Sequence, residues 1–252
     1  AVSSAYPAQH QTRYPFAVAI PSLVLPFPGS EQDFQHLGDI SARELPWDLD
    51  DECIHWVCIG RADADLFRMS LTGLFEAIAR HAPVELRQRL RLHFLGTSYA
   101  PAGQGIPSIA RLAAPYGLAE IVDERTDRLP LSLTLASLKA ADGLLVLGSN
   151  DPGYTASKLY PYLLAQRPLL AIMHRNSSVC ALLQRCGGGR LASFDAATSR
   201  AALAEQIANI WFHDGCHSEP VPLDMQAFHP HTAEAQAKQL VQFLRQCLHH
   251  SA

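Results

Sequence analysis

Between positions 54 and 212 the chain alternates short, almost unbroken apolar runs with longer amphipathic stretches, six times over. The apolar runs lie at 54–59, 90–95, 119–122, 143–147, 169–173 and 190–194. A strand loses its polar alternation when both of its faces are covered, as in a parallel sheet. The stretches between them, at 66–80, 108–116, 131–140, 154–165, 177–184 and 199–211, read as helices. In the first, Leu66, Met69, Leu74, Ala77 and Ile78 recur at helical spacing. Strand, helix, strand, repeated this way, predicts a doubly wound α/β domain: a mostly parallel, six-stranded, Rossmann-like sheet with helices on both faces.

The flanks differ. Residues 1–50 are rich in proline, and Pro15, Pro21, Pro26 and Pro28 confine the apolar stretch 16–25 to an edge strand or a linker. Poor in helical periodicity, they are expected to form an entry segment ahead of a ligand-binding domain at 51–214. Residues 215–252 are expected to form a loop of about twenty residues and a helix over 232–248. A loop of that length is unusual within one compact domain. The helix is therefore expected to cross to another part of the molecule or to a partner domain.

With 252 residues, 48% of them hydrophobic, the chain is large enough to fold around its own core without disulfides. Six cysteines without two-residue spacing are expected to be reduced and mostly buried. A formal net charge of −4 argues against nucleic acid as a partner. No apolar run reaches the ~20 residues of a membrane span; the nearest, 16–27, is broken by Pro21 and Pro26. There is no charged start followed by an apolar stretch, and the chain begins with Ala, which suggests a processed product or a piece of a longer one.

In the commonest doubly wound order, 3-2-1-4-5-6, the first and fourth strands meet at the switch point, and ligands bind beyond their carboxyl ends. The first strand runs into Gly60-Arg61. The fourth runs through Gly148-Ser149-Asn150-Asp151-Pro152-Gly153 to a helix expected to open at Tyr154. Glycine lets backbone approach a ligand closely. The unpaired N–H groups of a helix start, with Thr155, Ser157 and Lys158 beside them, would form an anion cradle. Arg61 faces it and suits bidentate contact with phosphate. A third loop, Gly96-Thr97-Ser98-Tyr99, brings Thr97 and Ser98 to the same place as phosphate or ribose contacts. Any one of these residues alone reads equally as an ordinary surface or capping group. The dinucleotide fingerprint is missing, since Gly60 is followed by Arg-Ala-Asp-Ala. Asp63 and Asp65 read as acid–base groups or as solvated carboxylates near a helix start. The twelve histidines show no hydrolytic zinc spacing.

These residues resemble the carboxyl-terminal, donor-binding half of a GT-B glycosyltransferase of the group-1 kind. Val57-Cys58-Ile59-Gly60-Arg61 is similar to that family's first strand and phosphate loop, and Phe94-Leu95-Gly96-Thr97 to its second strand. The most specific matches are Ala141 to Gly148 and the block from Ser157-Lys158-Leu159-Tyr160-Pro161 through Arg167-Pro168-Leu169-Leu170. Leu25 to Phe34 looks like the segment entering that half. The resemblance implies that Gly60 and Arg61 approach a diphosphate, that Gly153, Tyr154, Thr155 and Ser157 do so from the other side, and that Arg128 and Leu129 lie near the base. Two family glutamates are replaced here by Gly153 and Pro161, the second at the ribose-holding position; a family lysine is replaced by Leu66. Asp151 or Asn150 would be substitutes.

The resulting expectation is hexosyl transfer from a nucleotide-sugar donor bound by this chain, with a saccharide or other acceptor held through an amino-terminal domain. No metal or other cofactor is called for, because cationic side chains and N–H dipoles can meet the charge on a diphosphate. A cytoplasmic location follows, with attachment to a membrane surface left open. Two alternatives stand beside this: a non-catalytic nucleotide-binding scaffold or partner subunit, and a nucleotide-sugar epimerase.

Overall fold

The computed structural model describes residues 1–3, 5–37, 40, 42–151 and 153–250. Its strands are β1 (Ile54–Ile59), β2 (Leu90–Leu95), β3 (Val122–Arg125), β4 (Gly143–Leu147), β5 (Leu169–His174) and β6 (Arg190–Phe194). They form one sheet in the order β3-β2-β1-β4-β5-β6, every pair parallel. This is the doubly wound order inferred from the alternation.

Helices α1 (Ala5–Arg13) and α2 (Glu31–Gln35) precede the sheet; α3 (Arg68–His81), α4 (Val84–Arg89), α5 (Ile109–Ala113), α6 (Leu131–Ala140), α7 (Leu159–Ala165), α8 (Ser178–Cys186) and α9 (Arg200–Ile207) cover it. Two further helices, α10 (Met225–Phe228) and α11 (Ala233–His250), follow. Side-chain alternation along β1 splits the core. Trp56 and Cys58 face α3, α5 and α9, while Val57 and Ile59 face α6, α7 and α8. Both layers are fully buried, which is why the strands read as unbroken apolar runs.

Three expectations need correction. The third strand lies at Val122–Arg125, after a 3₁₀ turn at Ala119–Ile121, rather than at 119–122. It is an edge strand held by polar side chains: His93 is within 3.1 Å of Asp123, and Thr97 donates to Glu124 at 3.0 Å.

The helix expected to open at Tyr154 opens at Leu159. Pro161 is the physical reason. It sits at the third helical position, within the first turn, where its missing N–H costs nothing; a start at Tyr154 would have put it in the interior.

The entry segment carries the short helices α1 and α2, and its stretch 16–25 is a 3₁₀ turn (Pro15–Ala19) and irregular chain, the linker of the two readings. The loop after residue 212 is structured. Asp224 caps α10, and Phe228 is wholly buried in the second core layer. All six cysteines are thiols, three of them buried and three part-exposed.

The entry segment is pinned at Gly29. Its N–H donates to the His231 carbonyl at 2.9 Å, and its carbonyl accepts from Ala233 N–H at 2.9 Å. A Cβ there would lie 2.9 Å from Leu164 and 3.1 Å from Phe228, so any larger residue would have to displace those two side chains.

Candidate functional site

The sheet divides at its carboxyl edge. β1 is in register with β2 along six residues but with β4 at just two pairs, Trp56↔Gly143 and Val57↔Leu144. Beyond its end β1 stays with β2, through Gly60 N–H to the Leu95 carbonyl at 2.7 Å. β4 stays with β5, through Gly148 N–H to the Ile172 carbonyl at 2.7 Å. A crevice opens between them at the switch point, where a ligand is expected.

Ile59, the last residue of β1, would have its N–H and carbonyl unpaired on the β4 side. The hydroxyl of Tyr162 in α7 fills that gap, accepting from Ile59 N–H at 2.6 Å and donating to its carbonyl at 3.2 Å. Burial pushes this phenol well above its usual pKa, so it remains a neutral donor.

Three cations gather around the crevice. Lys158 reaches across from the β4 side, its Nζ 3.2 Å from the Arg61 carbonyl and 3.6 Å from Cys58 Sγ. Gly60 has φ +96°, which turns the chain so that Arg61 follows at the rim. Arg61 pairs with Asp63 at 3.1 Å, and its guanidinium lies 5.2 Å from the centre of the Tyr99 ring. Arg128, from the loop after β3, lies 4.6 Å from the same ring. Tyr99, 65% exposed, thus holds two like charges close together through cation–π contacts, each worth roughly 0.5–1 kcal/mol at an exposed site.

The other candidates fall in different places. Thr97 is buried and committed to Glu124, whose second oxygen accepts from the N–H groups of Ser108 and Ile109 at the start of α5. Ser98 Oγ accepts from Ala100 N–H, closing a local turn. Leu129 packs against the second core layer.

Gly153, Tyr154, Thr155 and Ser157 lie in turns before α7, not in its first turn. Asp151 accepts from Gly153 N–H at 2.8 Å, which fixes the near side of this loop; Pro152 is outside the described residues. Tyr154 stacks edge-on against Phe67, and its carbonyl accepts from Ser177. Asp63 and Asp65 pair with Arg61 and Arg68.

Beside Lys158 a cleft of about 290 Å³ opens between the entry segment and the α6–α7 pair. Phe27, Phe34, Leu131 and Pro161 line it, together with Asp33 and Lys158. Two larger hollows, of about 610 and 550 Å³, lie along α10 and α11, away from the strand ends. The sequence reading passed over Tyr99 and Asp33. An aromatic residue beside Ser98 in a glycine-bearing loop was the available signal for the first.

No family model matches the chain, and no curated protein matches it by sequence. Solved structures do. A glycosyltransferase from Rickettsia africae is similar over 98% of this chain and 62% of its own, with 12% identity and a TM-score of 0.64. Sucrose-phosphate synthase from Thermosynechococcus elongatus is similar over 99% and 58%, with 18% identity and a TM-score of 0.62. HepE from Anabaena, solved with UDP and glucose, is similar over 99% and 61%, with 17% identity and a TM-score of 0.53. The chain thus spans about 60% of the length of these three solved chains. The likeness is one of fold: the doubly wound sheet is shared with part of each of these structures.

Proposed function

We propose that this chain is the donor-binding part of a glycosyltransferase that transfers a hexosyl group from a nucleotide sugar. One arrangement carries the reading: Arg61, Arg128 and Lys158 converge at the switch-point crevice of a sheet whose solved likenesses are glycosyltransferases, one of them holding UDP and glucose. The cluster opposes the chain's overall negative charge, as a seat for a diphosphate should.

In the reaction the bond between the sugar's anomeric carbon and the diphosphate oxygen breaks, that carbon bonds to the acceptor's hydroxyl oxygen, and the hydroxyl proton passes to the released diphosphate or to solvent. Negative charge then grows on the leaving diphosphate while the sugar takes on oxocarbenium character. Arg61 and Lys158 meet that charge with side chains already in place, which lowers the barrier by fixed electrostatics. The acceptor is held by another part of the enzyme. The six thiols fit a reducing, cytoplasmic compartment. No helix of the described residues is long and apolar enough to cross a membrane.

Calorimetry with UDP, GDP and ADP tests the donor site. Binding by at least one at millimolar concentration or below is expected; well-folded protein that binds none removes the reading. A second reading, a nucleotide-binding scaffold without turnover, is favoured by Pro161, which gives the cleft an apolar wall at the family's carboxylate position. Release of nucleoside diphosphate from a donor sugar by the full-length protein separates the two.

A further inference from the structure

The entry segment does more than lead into the sheet: it forms one wall of the cleft beside Lys158. Three features set its position. Gly29 is clamped to the backbone at His231 and Ala233. Ser30 caps α2 by accepting from Asp33 N–H at 3.3 Å. Ser30, Asp33 and Phe34 then fall on one helical face, at i, i+3 and i+4, and all three line the cleft. The Lys139 ammonium, 5.6 Å from the Phe34 ring centre, holds that ring from behind.

The opposite wall, Leu131, Leu135 and Pro161, offers no side-chain acceptor. Among the described residues lining the cleft, Lys158 supplies the single cation and Asp33 the single carboxylate. The Asp33 carboxylate makes no hydrogen bond or ion pair with another described residue, so its oxygens are available. A slot with largely apolar sides that also carries one cationic residue and an unengaged carboxylate fits a ligand of matching polarity. A nucleoside diphosphate is such a ligand: phosphate at one end, a flat base, and a ribose diol between them. Carboxylates recognise ribose hydroxyls by accepting from them.

We propose that Asp33 is the specificity-determining residue that accepts hydrogen bonds from the ribose diol of the donor nucleotide. This rests on the donor-site reading above and assigns its sugar recognition to the entry segment rather than to α7. A site built to pair a hydroxyl rejects the analogue that lacks it, because the acceptor is then left desolvated and unpaired.

The experiment compares UDP, GDP and ADP with their 2′,3′-dideoxy counterparts by calorimetry, on the wild-type chain and on Asp33→Asn and Asp33→Ala. Whichever nucleotide binds wild type is expected to do so at least tenfold more tightly than its dideoxy form. Asp33→Ala should erase that preference by weakening the ribonucleotide alone, and Asp33→Asn, which keeps one acceptor oxygen, should reduce it. Asp33 is exposed on a short helix, so neither variant should unfold the chain, and matching thermal melts would verify that. Should Asp33→Ala keep the wild-type preference, the diol is held elsewhere and the proposal fails while the donor site stands. Equal weakening of both nucleotide forms also overturns it, since Asp33 would then be supporting the cleft as a whole. If no nucleotide binds wild type, the donor site and this assignment fall together.

Discussion

The Tyr162 hydroxyl bonds both backbone groups of Ile59, completing by a side chain the stretch of ladder that β1 and β4 do not share. One oxygen satisfies two buried polar groups at the base of the crevice. Tyr162→Phe keeps the ring and removes that oxygen, leaving the Ile59 N–H and carbonyl unpaired. The expected loss is about 1–3 kcal/mol for a buried group left unsatisfied. Urea denaturation measures it, as a lower midpoint with an unchanged slope.

Gly60 lies at φ +96°, where an L side chain is strained, although a Cβ would meet nothing closer than Lys158 at 3.7 Å. Gly60→Ala is therefore expected to cost about 1–2 kcal/mol through backbone conformation rather than collision. Its nucleotide affinity should fall as well, because Arg61 follows directly. Wild-type affinity together with lost stability would detach this turn from the ligand.

Arg61→Ala is expected to weaken nucleoside diphosphate binding by about 1.5–3 kcal/mol, the range for hydrogen bonds to charged groups. Wild-type binding should weaken as salt rises, because these guanidiniums are at the surface, and less steeply in the variant. Titrations at two salt concentrations decide both points, and an unchanged affinity would place the phosphates elsewhere.

The Asp123 carboxyl is held below its ordinary value of 3.8, first by its hydrogen bond with His93 and, more weakly, by Arg125, against partial burial. Its folded-state pKa lies below its unfolded one, so the unfolded chain takes up the proton first as pH drops. The stabilisation is therefore fully present above about pH 4 and is lost as pH falls through the folded value. Melting curves of wild type and Asp123→Asn should differ at pH 6 and converge towards pH 2. A gap that stays constant would contradict the assignment.

How much of this could be read beforehand depended on what covered each element. β1, β2 and β4 carry apolar side chains on both faces, so their ends were legible to the residue. β3 was displaced because Asp123 and Glu124 belong to the strand while making side-chain bonds that an apolar-run criterion ignores. The start of α7 was misplaced because helical periodicity is blind to Pro161, whose ring fixes where the first turn can begin. Arg61 and Lys158 were found through the switch-point rule, and the structure brings them together. Arg128 came through family resemblance. Tyr99 was missed because its significance lies in contacts with distant arginines, Asp33 because its position beside α6 and α7 is set by the fold, and Tyr162 because a tyrosine within an apolar run reads as core.

The divided sheet has one more consequence. Since β1 leaves with β2 and β4 with β5, the separation of the two rims is gauged by side chains, Tyr162 at the base and Lys158 higher up, not by a backbone ladder. A gauge made of side chains can be recut by substitution while the strands keep their register. The width of the opening and the integrity of the sheet are thus separate variables, and a fold of this kind can refit its mouth to a differently shaped molecule without rebuilding its centre.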